Sequence, residues 1–417
     1  MTSLVFAAVL LAAAGNPPTG AAPLTLSNVL DRVSQANPAI AEAAARSTAS
    51  DSRARAARRL PDLEAVLQQW NAPAARPWRL DEADTIMYGL RQTIPLPPKL
   101  SLRGKASAGL TAAAREDRRR VENEQRAQAR RAFFEYWRAT RELSVHLEHG
   151  ELSAQIVESA ESQYAAGNGR QSDVLRARLE LARLHTDVEN IQQEIASAQA
   201  ALRALMDLES STPLGEPDAG TPSRTPPPLA DLERQLPGAR PEILASRAQS
   251  ASFEASRRLA REEAFIPDLM IQADYWQNRH ERAGTDAMLS ISLPFFSRAR
   301  RDATRAATAD LGAARAAERA TLDNSLAQLR DAYARATTSQ RVLGLYERDI
   351  VPLAQHSEES TRSAYAGGNG GLIDLLDSER SLLDAKLATD RARANYENAL
   401  GDLELALGQP LSNGESR

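Results

Sequence analysis

The sequence contains no cysteine. Disulfides, thiolate metal sites and an N-terminal lipid-modified Cys are thereby excluded, so any membrane attachment must come from the polypeptide itself. Aromatic residues make up only 5% of the chain, and its mean hydropathy is negative. A composition dominated by Ala, Arg, Glu and Leu reads as long helices with little buried core per residue. Charge of one sign is also lacking: 51 basic and 55 acidic residues leave a formal net charge of −4. Nucleic acid would need clustered excess positive charge, so no such partner is expected. The Arg-rich stretch Arg115–Arg131 is interleaved with Asp117, Glu122, Glu124 and Gln125, and reads as a solvated helix face.

Long apolar runs are missing too. Leu4–Ala14 is the one uninterrupted run, and it has the length of a secretory signal core. No later segment approaches the roughly 20 apolar residues that a membrane helix needs. We therefore expect a signal peptide over residues 1–22, although its first residues carry no Lys or Arg.

What the chain does contain, it contains twice. Ser162–Arg176 reads S-Q-Y-A-A-G-N-G-R-Q-S-D-V-L-R, and Ser363–Asp377 reads S-A-Y-A-G-G-N-G-G-L-I-D-L-L-D. Ser, Tyr, Ala, Gly-Asn-Gly, Asp and Leu coincide at a constant offset, which marks two large pseudo-equivalent halves rather than a short-period solenoid. Other echoes extend the match: Asn37-Pro38 with Arg240-Pro241, Leu60-Pro61-Asp62-Leu63 with Ile266-Pro267-Asp268-Leu269, and Ile94-Pro95 with Leu293-Pro294. The expected organisation is a first repeat at 23–208, a Pro-rich linker at 209–228, a second repeat at 229–408 and a tail at 409–417.

Each repeat reads as helix, strand, strand, long helix, tight turn, helix. Thr25–Arg59 is helical with a break or kink at Pro38, and strands are expected at Asp62–Asn71 and Thr85–Ile94. A proline-free helical stretch runs from about Ser101 to Ala165, and Ser172–Leu208 runs back. In the second repeat Leu229–Phe265 is helical, with breaks or kinks at Pro237 and Pro241. Strands follow at Asp268–Trp276 and Asp286–Leu293, then a long helix Arg298–Ala366 interrupted only by Pro352, and a return helix Leu372–Leu407. Two glycines flanking Asn tolerate the positive φ that a reversal requires, so Gly167-Asn168-Gly169 and Gly368-Asn369-Gly370 are the turns.

The strands alternate. Leu269, Ile271, Ala273 and Tyr275 share one face, with Met270, Gln272, Asp274 and Trp276 on the other; Ile86, Tyr88, Leu90 and Ile94 oppose Met87, Gly89, Arg91 and Thr93. Apolar-out, polar-in ribbons of this length suit a tilted bilayer crossing; a small soluble sheet packed on helices would alternate as well. Four strands cannot close a barrel, and open edges cannot sit in lipid. A membrane reading therefore requires several chains to share one barrel.

At this point the chain resembles the outer-membrane efflux duct (TolC) family. The resemblance rests on the duplicated strand-pair-plus-hairpin plan, the Y-x-x-G-x-x-x-x-x-D-x-L turn motif in both halves and the closing Leu403–Gly408 segment. The stretch from Gly89 through Pro95 to Lys99 and Arg103 is similar to the heavy-metal efflux branch, while Asp207 departs from the pattern where Gly408 stands in the other half. The resemblance implies a mainly α fold with a small β part: duplicated long α-hairpins in a helical barrel, and four transmembrane strands per chain in a trimeric β-barrel. It implies a passive export duct in the outer membrane, with its helical part in the periplasm, working with an adaptor protein and an inner-membrane pump. Gly167, Asn168, Gly169, Gly368, Asn369 and Gly370 would be docking tips, and Asp173, Asp374 and Asp377 would be acids near a constricted entrance. Helix N-capping is the competing reading for Asp173 and Asp374. The alternative for the whole chain is a periplasmic coiled-coil scaffold without channel activity.

Chemistry is otherwise sparse. The sequence holds no phosphate loop, nucleophile elbow or cluster of metal ligands, so neither an enzyme nor a cofactor is expected. His146 and His149 could share a helix face with Glu142, but exposed His pairs are common. Phe133, Phe134, Tyr136 and Trp137 read as packing between helices.

Overall fold

The computed structural model describes residues 22–72, 74–76, 78–167, 169–220, 225–279, 282–293, 298–367 and 369–411. The expected signal peptide up to residue 21, Asn168, Gly368, Pro294 and most of the tail lie outside the described residues. The chain forms two compact units, Met1–Glu42 with Arg120–Arg240 and Ser325–Arg417, and Ala43–Arg119 with Pro241–Asn324. Each unit draws on both repeats.

The first repeat opens with a two-residue strand β1 (Leu24–Thr25) and helix α1 (Leu26–Ala36), whose first turn is capped by the Thr25 hydroxyl accepting from Asn28 N–H. Asn37 then starts α2 (Pro38–Ala56). Its Oδ1 accepts from the N–H groups of Ala39 and Ile40, and Pro38 occupies the first helical position, where no amide hydrogen is needed. Strands β2 (Glu64–Trp70) and β3 (Thr85–Pro95) follow, then α3 (Lys99–Ala165) and α4 (Gln171–Leu205). Helix α3 has 67 residues, roughly 100 Å at 1.5 Å per residue. The linker contains one element that the proline count concealed: β4 (Pro217–Asp218) pairs in parallel with β1, Leu24 opposite Pro217.

The second repeat supplies α5 (Leu229–Ala239), α6 (Pro241–Phe265), β5 (Asp268–Asn278), β6 (Gly284–Ile291), α7 (Arg298–Leu345), α8 (Val351–Ala366) and α9 (Leu372–Leu407). The β6 strand ends at Ile291, leaving Leu293 outside it. A five-residue π turn, Tyr346–Ile350, separates α7 from α8. The irregularity thus lies before Pro352 rather than at it, because a proline ring crowds the carbonyl one turn earlier and that turn widens to accommodate it.

In the first unit the core centres on Val29, Leu30, Val33, Ile40, Phe133, Phe134, Trp137, Leu202 and Met206. The expected aromatic packing is present. Phe133 and Phe134 meet edge-on at 5.3 Å between ring centroids, and the guanidinium of Arg393 lies 4.8 Å from the Trp137 ring centroid. Tyr136 donates its hydroxyl to the Gly215 carbonyl at 3.2 Å, tying the linker to α3.

The sequence echo before each proline has a physical counterpart in the same unit. Asn37 Nδ2 donates to the Leu205 carbonyl at 2.9 Å and to Gln125 Oε1 at 3.3 Å. Arg240 donates to the Ala406 carbonyl at 3.0 Å and to Gln328 Oε1. Each repeat uses the residue before its helix-starting proline to satisfy a carbonyl orphaned at the end of its returning helix. The Arg-rich segment is less solvated than its sequence suggests. Arg130 is mostly buried and pairs with Glu404 at 2.9 Å and Glu397 at 3.6 Å, whereas Arg115 and Arg119 remain exposed.

Candidate functional sites: the amphipathic sheet and the hairpin turns

The second unit carries a four-stranded antiparallel sheet in the order β2-β3-β5-β6. The two repeats meet at β3–β5, in register from Thr85 opposite Asn278 to Pro95 opposite Asp268. Directly paired residues share a face, so the register tests the alternation. Leu90 pairs with Ala273 and Tyr88 with Tyr275, while Ile271 pairs with Leu289 and Leu269 with Ile291. On the other face Arg91 opposes Gln272, and Asp274 lies between Gly89 and Asp286.

The two faces differ at the centre of the sheet, while its edge strands expose residues of both, such as Trp70 and Met288 on the face of Arg91 and Gln272. On the apolar face, Leu67, Leu90, Ile271, Tyr275, Leu289 and Ile291 are all exposed, Leu289 at 63%. On the polar face Gln272 and Asp274 are buried and hydrogen-bonded to one another at 2.9 Å, and Arg91 donates to Gln272 at 3.0 Å. This inverts the arrangement of a soluble sheet, in which the apolar face would be covered. Strands β2 and β6 form the two edges.

The base of the sheet is locked by a charge pair between repeats. Lys99, the first residue of α3, is fully buried, and its Nζ donates to Asp268 at 2.7 Å. One turn later Arg103 pairs with Glu263 at 2.8 Å. The Lys99 and Arg103 spacing noted in the sequence thus fastens the start of α3 to the entrance of β5.

The turns belong to the first unit. Gly167 has φ +76°, and the Gly169 N–H donates to the Gln163 carbonyl at 3.0 Å. A Cβ on Gly169 would sit 3.0 Å from Tyr164 N, and one on Gly370 would sit 3.0 Å from Tyr365 N. Both repeats therefore need glycine at the same step of the reversal, because the chain passes back over its own backbone. Asn369 N–H donates to the Ala364 carbonyl at 2.9 Å.

Asp173 and Asp374 each occupy the third position of the returning helix. Neither is the cap. Arg170 and Gly371 hold the cap positions with no side-chain cap bond, and the two carboxylates instead lie in first turns, where negative charge opposes the helix dipole favourably. Asp377, one turn further on, is exposed. Ile156, Ala160, Val174, Ala177, Leu372 and Leu375 pack together behind the turns.

The His146–His149–Glu142 grouping does not converge. His146 Nδ1 lies 2.8 Å from the Glu142 backbone carbonyl, and the Glu142 carboxylate is held by Arg138 at 2.7 Å and Arg391 at 2.8 Å. Among the described residues no three His, Asp or Glu side chains are grouped to hold a metal. His149 is pushed below its ordinary value by burial and by neighbouring His146. It faces Glu379 at 3.7 Å, a buried carboxyl that sequence reasoning missed. Glu379 lies one turn beyond the buried Leu375, but its charged neighbour Arg380 makes the segment read as solvated, and that hides its burial. Among the described residues no helix is long and apolar enough to cross a membrane.

Comparisons with known proteins agree with this geometry. Residues 234–409 match the family described as outer membrane efflux protein. The chain is 25% identical over 305 residues to the cobalt-zinc-cadmium resistance protein CzcC of Cupriavidus metallidurans, covering 69% of this chain and 70% of that protein. Among solved structures, the outer membrane protein VceC of Vibrio cholerae superposes with a TM-score of 0.77 at 21% identity, covering 93% of this chain and 97% of VceC. The structure of CusC gives 0.78 at 18% identity, with 92% of each chain covered. At these identities the two structures establish the fold.

Proposed function

We propose that this chain, which belongs to the outer membrane efflux protein (TolC) family, is the passive outer-membrane duct of a three-part export system. The observation that carries the reading is the exposed apolar face of a sheet whose opposite face holds a polar cluster at its centre, Arg91 with the buried Gln272 and Asp274. In lipid that face is favourable, but β2 and β6 would leave bare N–H and C=O groups, so each edge needs a neighbour. Three copies, each contributing four strands, pair edge to edge and leave none open. The long, Ala- and charge-rich helices form the wall of a water-filled tube in the periplasm. The duct performs no chemistry and takes its energy from a partner pump.

Within this reading Gly167, Asn168, Gly169, Gly368, Asn369 and Gly370 form tips that dock an adaptor protein. Asp173, Asp374 and Asp377 line the narrow entrance, where a ring of carboxylates favours cations. Asp377 is the strongest of the three, because it lies beyond the first turn of its helix, where Asp173 and Asp374 already have a dipole role. The likeness to CzcC across both repeats supports divalent heavy-metal ions as the exported class.

The test is membrane fractionation followed by conductance in planar bilayers. The protein should partition with the outer membrane, run as a heat-sensitive oligomer and pass current. Protein that neither enters that fraction nor conducts would remove the duct. Asp377→Asn should weaken the cation preference of the current; unchanged selectivity would take Asp377 out of the entrance.

A further inference from the structure

The α8–α9 hairpin contains a group of charges that the duct reading does not use. Glu358 on α8 and Glu379 on α9 are both buried, at 4% and 3% exposure. One cation serves the two: Arg362 Nη2 lies 2.6 Å from Glu358 Oε1 and donates to Glu379 Oε1 at 3.2 Å. The contact to Glu358 has ion-pair distance without hydrogen-bond direction, and Glu358 Oε1 and Glu379 Oε2 have no hydrogen-bond donor. Across from Glu379 Oε2 stands His149 Nδ1 of α3, at 3.7 Å. Thr361 and Ser378 hydroxyls meet at 2.5 Å beside the pair, holding the two helices in register.

Two ionised carboxylates with one guanidinium, itself half exposed, would leave a net negative charge on two buried carboxyl groups, which is costly. Carboxyls that cannot both ionise share a proton instead. We infer that Glu358 and Glu379 hold one proton between them, and that this shared proton clamps α8 to α9. With it the group is neutral: one carboxylate, one carboxylic acid and Arg362.

Other charges near the pair do not supply the missing cation. On α3, His149 is held toward its neutral form by burial and by His146, and Glu148 adds negative charge; on α4, Glu180 does the same. Lys386 of α9 faces His149, disfavours its protonation and pairs with Glu148 at 3.4 Å. Burial pushes the Glu379 carboxyl above the usual carboxylate range, and the adjacent Glu358 pushes the same way against Arg362. A carboxyl raised in the folded state contributes stability that is complete below its unfolded value of about 4.3 and is lost as pH rises through the folded value. The clamp therefore loosens as pH rises. The consequence for current rests on the duct reading: the hairpin carries Asp374 and Asp377, so opening should become easier toward alkaline pH.

The decisive measurement is the infrared spectrum of the full-length protein in detergent at pH 7, taken as differences between wild type and Glu358→Gln and Glu379→Gln. Each difference should show loss of one protonated carboxylic acid carbonyl band, since either amide leaves the remaining carboxylate neutralised by Arg362. Absence of the band from both differences overturns the shared proton. Loss in only one variant also overturns it, because the proton would then belong to a single carboxyl. Thermal unfolding of the wild type should fall in midpoint as pH rises from mildly acidic to mildly alkaline, with a smaller slope in Glu379→Gln; equal slopes would mean that the proton does not clamp the hairpin. These arms need no current, so a protein that shares the proton but never conducts refutes the duct alone.

Discussion

The two repeats fold alike and bury themselves differently. Helix α4 buries five residues, whereas its counterpart α9 buries seventeen, including Ser378, Glu379 and Glu397. The backbone devices are shared: a residue before a proline tethers the end of each returning helix, and a glycine lets each turn pass over its own backbone. The side-chain chemistry is not shared. The buried carboxyl pair, the π turn and the Asp377 acid occur in the second repeat, and the first carries Arg176 where Asp377 stands. Duplication has preserved what the chain reversal demands of the backbone and has left the charged groups free to diverge.

Breaking the comparison at the base of the sheet should have the largest effect. Asp268 and Asp62 occupy equivalent steps of the repeats, yet Asp268 holds the fully buried Lys99 and Asp62 is exposed. Asp268→Asn should cost about 3–5 kcal/mol, because it leaves an ammonium buried without its carboxylate. Asp62→Asn should fall within about 0.5 kcal/mol. Thermal unfolding of the purified protein measures both; similar shifts would remove the asymmetry.

Next in size are charges placed on the apolar face of the sheet. Leu67→Arg in the first repeat and Ile271→Arg in the second should each destabilise by about 2–4 kcal/mol near the bilayer midplane and less toward its rims. The polar-face change Gln272→Lys should leave membrane partition intact. Fractionation and heat-stability of the oligomer would show whether both repeats face lipid or only one.

The turns should respond alike. Gly169→Ala and Gly370→Ala each force a Cβ against backbone nitrogen at 3.0 Å, and about 1–3 kcal/mol is expected for either. Amide exchange across each turn reads the effect, and a response confined to one turn would break the equivalence there. The smallest effect belongs to the helix ends. Asp207 has φ +52° where Gly408 has +88°. The sequence departure at Asp207 is therefore a substitution within a shared left-handed conformation, which Asp tolerates better than most residues. Asp207→Gly should gain at most about 1 kcal/mol, and Gly408→Val should lose more than Gly408→Asp. Thermal midpoints of the three variants rank them.

Much of this was legible from local pattern. Alternation in Leu269–Trp276 identified which strand face is apolar, and the register agrees with it at Leu90–Ala273 and Ile271–Leu289. Gly-Asn-Gly marked both reversals, where Gly167 takes positive φ and Gly169 and Gly370 approach their own backbone closely, and α9 begins and ends where its pattern placed it, at Leu372 and Leu407. The linker strand β4 was hidden, since two residues carry no period and Pro217 argues against a strand. Capping by Asp173 and Asp374 was also misjudged: a turn of this kind places the cap at Arg170 and Gly371, nearly one turn earlier.

Periodicity and backbone tolerance, which act between neighbours along the chain, determined the duplicated plan, the faces of the strands and the sites of reversal. Tertiary structure alone decided which charges meet. Lys99 finds Asp268 across 169 residues of sequence, and Glu379 finds Glu358 and Arg362 across its own hairpin and His149 only because α3 packs against that hairpin. A charged residue looks the same in sequence whether water or protein surrounds it. Only packing decides whether water is there, and with it whether the charge needs a partner.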